Sequence, residues 1–116
     1  MAHMTIWHNP KCSKSRNAVT LLEEKGIEAK VVKYLETPPT KEELKAVLKM
    51  LGISPRELMR TKEEIYKELN LKEEESEEKL IEAMVTYPRL IERPVVMKDG
   101  KAVIGRPIEK VIELLG

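Results

Sequence analysis

The first 34 residues constrain the fold of this chain more than any other stretch. Met4 to His8 read as a short strand with Ile6 and Trp7 to bury, and Asn9-Pro10 breaks it. From Lys14 the residues Ala18, Val19, Leu21 and Leu22 fall on one helical stripe, and Gly26 is a natural stop. Ala29 to Tyr34 read as a second strand with Val31 and Val32 at its centre. A strand, a helix and a strand in so short a span predict parallel strands joined by a right-handed crossover. Met1 to His3 precede a natural start at Met4 and are expected to be a remnant outside the fold.

Thr37-Pro38-Pro39 ends the second strand, and a helical middle follows. Thr40 and Glu43 predict a capping box for a helix bearing Leu44, Val47, Leu48 and Leu51, closed by Gly52. Ser54-Pro55-Arg56-Glu57 is a second cap, with proline at the first helical position. Thr61 and Glu64 repeat the signal ahead of Ile65, Tyr66 and Leu69. Lys72 to Lys79 is charge-rich and is expected to be a solvated loop running into a helix faced by Leu80, Ile81, Met84 and Val85. Pro94 to Met97 returns to strand, Asp99-Gly100 is a hairpin turn, and Ala102 to Ile104 should be the partner strand. Pro107 opens a last helix with Ile108, Val111, Ile112 and Leu115. The order is β-α-β, a helical block, then β-β-α. This predicts an α/β fold: the thioredoxin arrangement with a helical insertion at about residues 38–90. With 116 residues and neither repeat nor linker, one domain over 1–116 is expected.

Lys and Arg total 21 against 20 Asp and Glu, a net charge of +1. That balance argues against a general nucleic-acid binder, which carries a basic excess. No apolar run is long enough to span a membrane, and no signal-peptide pattern is present, so the expected address is the cytoplasm. The chain has a single cysteine, Cys12. One thiol cannot form an intramolecular disulfide, and it rules out a Cys-rich zinc site. It is either a buried inert thiol or a reactive one that needs an outside partner.

Cys12 lies between a strand end and a helix start, in His8-Asn9-Pro10-Lys11-Cys12-Ser13-Lys14-Ser15-Arg16. A helix N-terminus offers free N–H groups and partial positive charge, which stabilise a thiolate and bind oxyanions. Lys11, Lys14, Arg16 and His8 bring further positive charge nearby. The competing reading is a small buried hydrophobe, but polar, basic neighbours disfavour burial. A Cys-x-x-Cys redox pair is excluded by Ser15, and a Cys-x5-Arg phosphatase loop by Ala18. Arg60, Arg93 and Arg106 each sit at an element boundary, where side chains can converge on a site, and arginine suits bidentate oxyanion binding better than lysine. The plainer reading of each is a solvated surface residue. Arg16, Arg56 and Arg89 are read mainly as surface residues, Arg16 being close to the thiol. His8 has two readings, tuning Cys12 electrostatically or capping the strand. Pro94 follows Arg93 just ahead of a strand, where a cis peptide is an option.

These pieces resemble the glutaredoxin-coupled arsenate reductases, a branch of the thioredoxin-like fold, over essentially all of Met4 to Gly116. The resemblance is carried by Ile6 to Arg16 (IWHNPKCSKSR), Tyr34 to Pro39 (YLETPP), Leu51 to Ser54 (LGIS), Arg60, Ile91 to Val96 (IERPVV) and Gly105-Arg106-Pro107. It implies that Cys12 attacks arsenate to form a thiol–arsenate adduct, and that Arg60, Arg93 and Arg106 hold the oxyanion. It implies that His8 favours the thiolate and that the peptide before Pro94 is cis. It also implies that glutathione displaces the adduct, that glutaredoxin completes the electron supply, and that no metal or tightly bound cofactor takes part. Ser15 is placed to donate a hydrogen bond to the thiolate, with helix capping the competing role. Ser13 and Lys14 stand where some active members have Gly and Thr. The chain is expected to act as a monomer without nucleic-acid or membrane partners. Two other readings stay open: a general glutathione-dependent thiol oxidoreductase, and a non-enzymatic transcriptional regulator of the same fold.

Overall fold

A computed structural model describes residues 4–105 and 108–115. In chain order the elements are β1 (Met4–Trp7), α1 (Ser13–Glu24), β2 (Ala29–Val32), α2 (Lys41–Leu51), α3 (Pro55–Leu58), α4 (Glu64–Glu68), α5 (Glu77–Thr86), β3 (Val95–Lys98), β4 (Lys101–Ile104) and α6 (Glu109–Leu115), with 3₁₀ turns at Leu71–Glu73 and Pro88–Leu90. They form two compact units. One comprises the chain up to Thr37 and from Arg93 onward, the other Pro38–Glu92.

The first unit is built on a four-stranded sheet of order β2-β1-β3-β4. β1 pairs in parallel with β2 and antiparallel with β3, and β3 pairs antiparallel with β4. This is the thioredoxin-like pattern that the β-α-β and β-β-α order predicts. Strand alternation sends Met4 and Ile6 to one face, where they pack with Val96, with Ala18 and Leu22 of α1, and with Val111 of α6. The β3–β4 hairpin turns through Asp99 (φ 47°) and Gly100 (φ 80°), both left-handed, with Lys98 opposite Lys101. Two left-handed central residues make the type I′ turn that matches strand twist. β2 ends at Val32, short of Tyr34, and it is an edge strand. Val31 is therefore 45% exposed rather than central to a buried strand.

The second unit is helical. The capping box on α2 forms: Glu43 N–H donates to Thr40 Oγ1 at 3.1 Å, and Thr40 N–H donates to Glu43 Oε1 at 3.0 Å. Gly52 closes α2 in the left-handed conformation (φ 68°). α2 and α3 both pack on α5, burying Leu44, Val47, Leu58, Leu80 and Met84. Two expectations are corrected here. Thr61 caps nothing; it lies in a turn closed by Glu63 N–H donating to the Arg60 carbonyl, and Glu63 is the N-cap of α4. The charged stretch is not one loop, because Ser76 accepts from Lys79 N–H and starts α5 at Glu77.

Arg56 is the third correction. It is no surface residue. Its guanidinium donates to Tyr66 Oη, to the Leu71 carbonyl at 3.0 Å and to the Glu74 carbonyl. These bonds join α3 to α4 and to the segment that follows it, at separations of 10 to 18 residues. Removing a donor of charge-assisted bonds leaves buried acceptors unmet, at about 2 kcal/mol. Arg56→Ala should therefore lower Tm by roughly 6–12 °C. Arg89→Ala, at an exposed position, should leave Tm within about 2 °C of wild type. Thermal denaturation of the two variants checks both.

Candidate active site

The turn between β1 and α1 is held by its own side chains. Asn9 Oδ1 accepts from Lys11 N–H at 3.0 Å, and Cys12 N–H donates to the Asn9 carbonyl at 3.0 Å. Arg16 folds back so that Nη1 donates to the Pro10 carbonyl at 2.9 Å. Cys12 then takes the N-cap of α1 in an extended conformation (φ −96°, ψ 122°), so the helix begins at Ser13 rather than Lys14. The first turn of α1 carries no acidic residue, and its amides face no side-chain anion of their own helix.

This placement decides the state of the sulfur. Cys12 is half-buried. Burial alone pushes its thiol up, but the backbone amides of Ser15 and Lys14, and then the Arg93 guanidinium by hydrogen bond and charge, outweigh burial. The net result is a thiol held below its usual range. The ionised sulfur is the form those amides and Arg93 favour.

Ser15 is fully buried, and its hydroxyl is committed elsewhere. Asn9 N–H donates to Ser15 Oγ at 2.9 Å, and Ser15 Oγ lies 2.7 Å from His8 Nδ1. The hydroxyl does not cap α1, whose N-cap is Cys12, and the Ser15 backbone N–H favours the thiolate. His8 is itself buried, 8% exposed. Burial, then the charges of Lys33 and Arg16, hold its ring below the usual imidazole range and favour the neutral form. The tautomer of the neutral ring sets which of the two groups donates in this bond.

Arg93 sits beside Cys12, and the peptide joining it to the buried Pro94 is cis. Gly105 N–H donates to the Pro94 carbonyl at 2.8 Å. A Cβ on Gly105 would come within 2.9 Å of both Pro94 Cγ and Val111 Cγ2, so only glycine fits this approach. Arg60 belongs to the helical unit, at the residue after the isolated bridge between Met59 and Ile91. Its N–H donates to the Leu90 carbonyl at 2.7 Å. Its Nη1 donates to Glu63 Oε1 at 2.8 Å, and its Nε lies 3.9 Å from Glu92 Oε1. Arg106 and Pro107 lie outside the described residues. The structure thus brings His8, Cys12, Ser15, Arg16, Arg93 and Pro94 into one unit and places Arg60 in the other. Sequence reasoning missed Asn9, Glu63 and Glu92. An Asx-Pro turn signal was available for Asn9, and no local signal marked the two glutamates. Among the described residues no three His, Cys, Asp or Glu side chains gather as a metal centre requires.

A thioredoxin-like sheet that presents one activated cysteine at the first helix N-terminus defines a class of single-thiol proteins. The sequence matches the ArsC family over residues 7–114, and the chain belongs to that family. It is 49% identical to the arsenate reductase of Neisseria meningitidis (serogroup A), covering 99% of this chain and 100% of that one. It is 58% identical to uncharacterized protein YfgD of Escherichia coli K12, covering 96% and 95%. Among solved structures it is similar to an arsenate reductase from Vibrio cholerae, with a TM-score of 0.93, 52% identity and 96% of each chain covered.

Two outcomes follow from the charges. The alkylation rate of Cys12 by iodoacetamide should rise with pH around a midpoint below the ordinary thiol value, and Arg93→Ala should move that midpoint up. An unmoved midpoint would remove Arg93 from the thiolate's support. For His8 the folded value lies below the unfolded one, so the unfolded chain takes up the proton first as pH falls. Stability should be full above the ordinary histidine value and decline as pH drops below it. The His8→Gln variant should lack that decline when Tm is followed from pH 7.5 to 5.

Proposed function

We propose that this protein reduces arsenate to arsenite, with Cys12 as nucleophile. The observation that carries this reading is the sulfur at the N-terminus of α1, where the Ser15 and Lys14 amides and Arg93 together favour the thiolate. A thiolate beside a guanidinium can attack an oxyanion whose negative oxygens the same cation draws in. The sulfur bonds to arsenic, and one arsenate oxygen leaves as water after protonation. A glutathione thiolate then attacks the Cys12 sulfur. The S–As bonding pair stays on arsenic, so arsenite leaves, and Cys12 and glutathione form a disulfide. Glutaredoxin reduces that disulfide and restores the thiol. Two electrons enter arsenic and two thiols are oxidised.

The lone cysteine favours this electron supply, because no second thiol in the chain can form an internal disulfide for another reductant to open. The family resemblance gives Arg60 and Arg106, with Arg93, the task of holding the oxyanion. No tightly bound cofactor enters the scheme; glutathione is a co-substrate. A thiol that must return to the reduced state each cycle suits the cytoplasm.

Arsenite formation from arsenate tests the reading. Turnover is expected with glutathione and glutaredoxin and should vanish in Cys12→Ser. Arg60→Ala should lower kcat/KM on the order of 10²-fold, the effect of losing one charge-stabilising donor. Turnover with thioredoxin in place of glutathione and glutaredoxin would replace the electron donor. No turnover with either would remove the reading.

A further inference from the structure

Arg60 meets two carboxylates, one on each edge of its guanidinium. Glu63 takes Nη1 at 2.8 Å, and Glu92 lies 3.9 Å from Nε. A guanidinium binds a tetrahedral oxyanion through two parallel N–H bonds along one edge. One edge runs from Nε to Nη2 and the other from Nη1 to Nη2, so each edge already has an anion against one of its nitrogens. An incoming oxyanion must therefore compete with an anion of the protein on either edge of Arg60.

We infer that Glu63, supported by Glu92, is an internal placeholder for the oxyanion: it occupies Arg60 in the empty protein and must be displaced from Nη1 when substrate arrives. The inference rests on the proposed role of Arg60 in holding arsenate. The geometry permits the exchange. Glu63 is three residues from Arg60 and 28% exposed, so a released carboxylate turns into water without crossing the protein. Arg60 keeps its backbone bond to Leu90 throughout, so only side chains need move. A carboxylate that merely oriented Arg60 would be expected singly, on the edge away from the ligand. A pair split between both edges leaves no such edge. The consequence is for specificity. A weakly charged anion gains too little from Arg60 to displace Glu63, so the pair raises the threshold for binding and selects multiply charged oxyanions.

Steady-state arsenate reduction by wild type, Glu63→Gln, Arg60→Ala and the double variant tests this. Glu63→Gln should lower KM for arsenate about two- to five-fold, the range of a partly exposed ion pair, with kcat unchanged. The gain should disappear in the Arg60→Ala background. A raised KM or a lowered kcat in Glu63→Gln, with Arg60→Ala still impaired, would show that Glu63 orients Arg60 and would overturn the inference alone. Arg60→Ala with wild-type KM and kcat would overturn the role of Arg60 and the inference with it. Glu92→Gln, which leaves the 2.8 Å pair intact, should change KM in the same direction and by less.

Discussion

A buried hydrogen bond 2.7 Å long, between Ser15 and His8, spans the turn from the first strand to the first helix. Ser15 Oγ also accepts from Asn9 N–H, so one hydroxyl ties the strand's end, the turn and the helix's first turn together. The state of the sulfur depends on that tie. Cys12 lies inside the loop so closed, and the amides that favour its thiolate belong to Lys14 and to Ser15 itself. A wandering first turn would carry those amides away from the sulfur, and burial, which alone pushes the thiol up, would then prevail. A neutral histidine serves this tie better than a charged one. Imidazolium would be a buried cation near Lys33 and Arg16. His8 thus reaches the turn that holds Cys12 through its hydrogen bond to Ser15.

Much of the fold was legible because its signals are local. The Thr40–Glu43 box, the left-handed Gly52 and the Asp99-Gly100 hairpin each depend on residues within four positions of one another, and all formed as the pattern indicates. The β-α-β and β-β-α halves followed from periodicity, since Ile6, Ala18, Leu22, Val96 and Val111 meet as alternation and helical spacing require. Misreadings arose where a local motif competed with a partner from elsewhere. Thr61 and Glu64 have capping-box spacing, yet the turn at Arg60–Glu63 takes the position and starts the helix later. Arg56 read as surface because its partners are up to 18 residues away and include two backbone carbonyls, which no side-chain pattern encodes.

The site was legible in the same uneven way. Cys12 stood out because a lone thiol, a preceding strand, a following helix and basic neighbours all occur in nine residues. Its support by Arg93 could come only from the resemblance or from the structure, since 81 residues separate them in the chain. For Ser15 the sequence leaves two roles open, a hydrogen bond to the sulfur and helix capping. Sequence places the residue in reach of the sulfur but does not tell which of its two groups points there, and the hydroxyl found His8 and Asn9 while the amide served the thiolate.

A chain with a net charge of +1 carries few uncompensated cations, and Arg93 and Arg60, which the proposed function assigns to the oxyanion, each face an acidic group of the protein. For Arg93 that group is the Cys12 thiol, whose ionised form it favours; for Arg60 it is a pair of carboxylates. The two balances respond to substrate differently under the proposed chemistry. When sulfur bonds to arsenic its negative charge is spent in the new bond, and Arg93 is left facing the charge that has moved to the arsenate oxygens. Its pairing is therefore stronger at the adduct side of the reaction than in the ground state, the condition for lowering a barrier rather than merely binding tightly. The carboxylates beside Arg60 are not consumed, so their cost falls equally on bound substrate and transition state. Under the proposed function, one arginine assists the chemical step and the other sets which anions reach it.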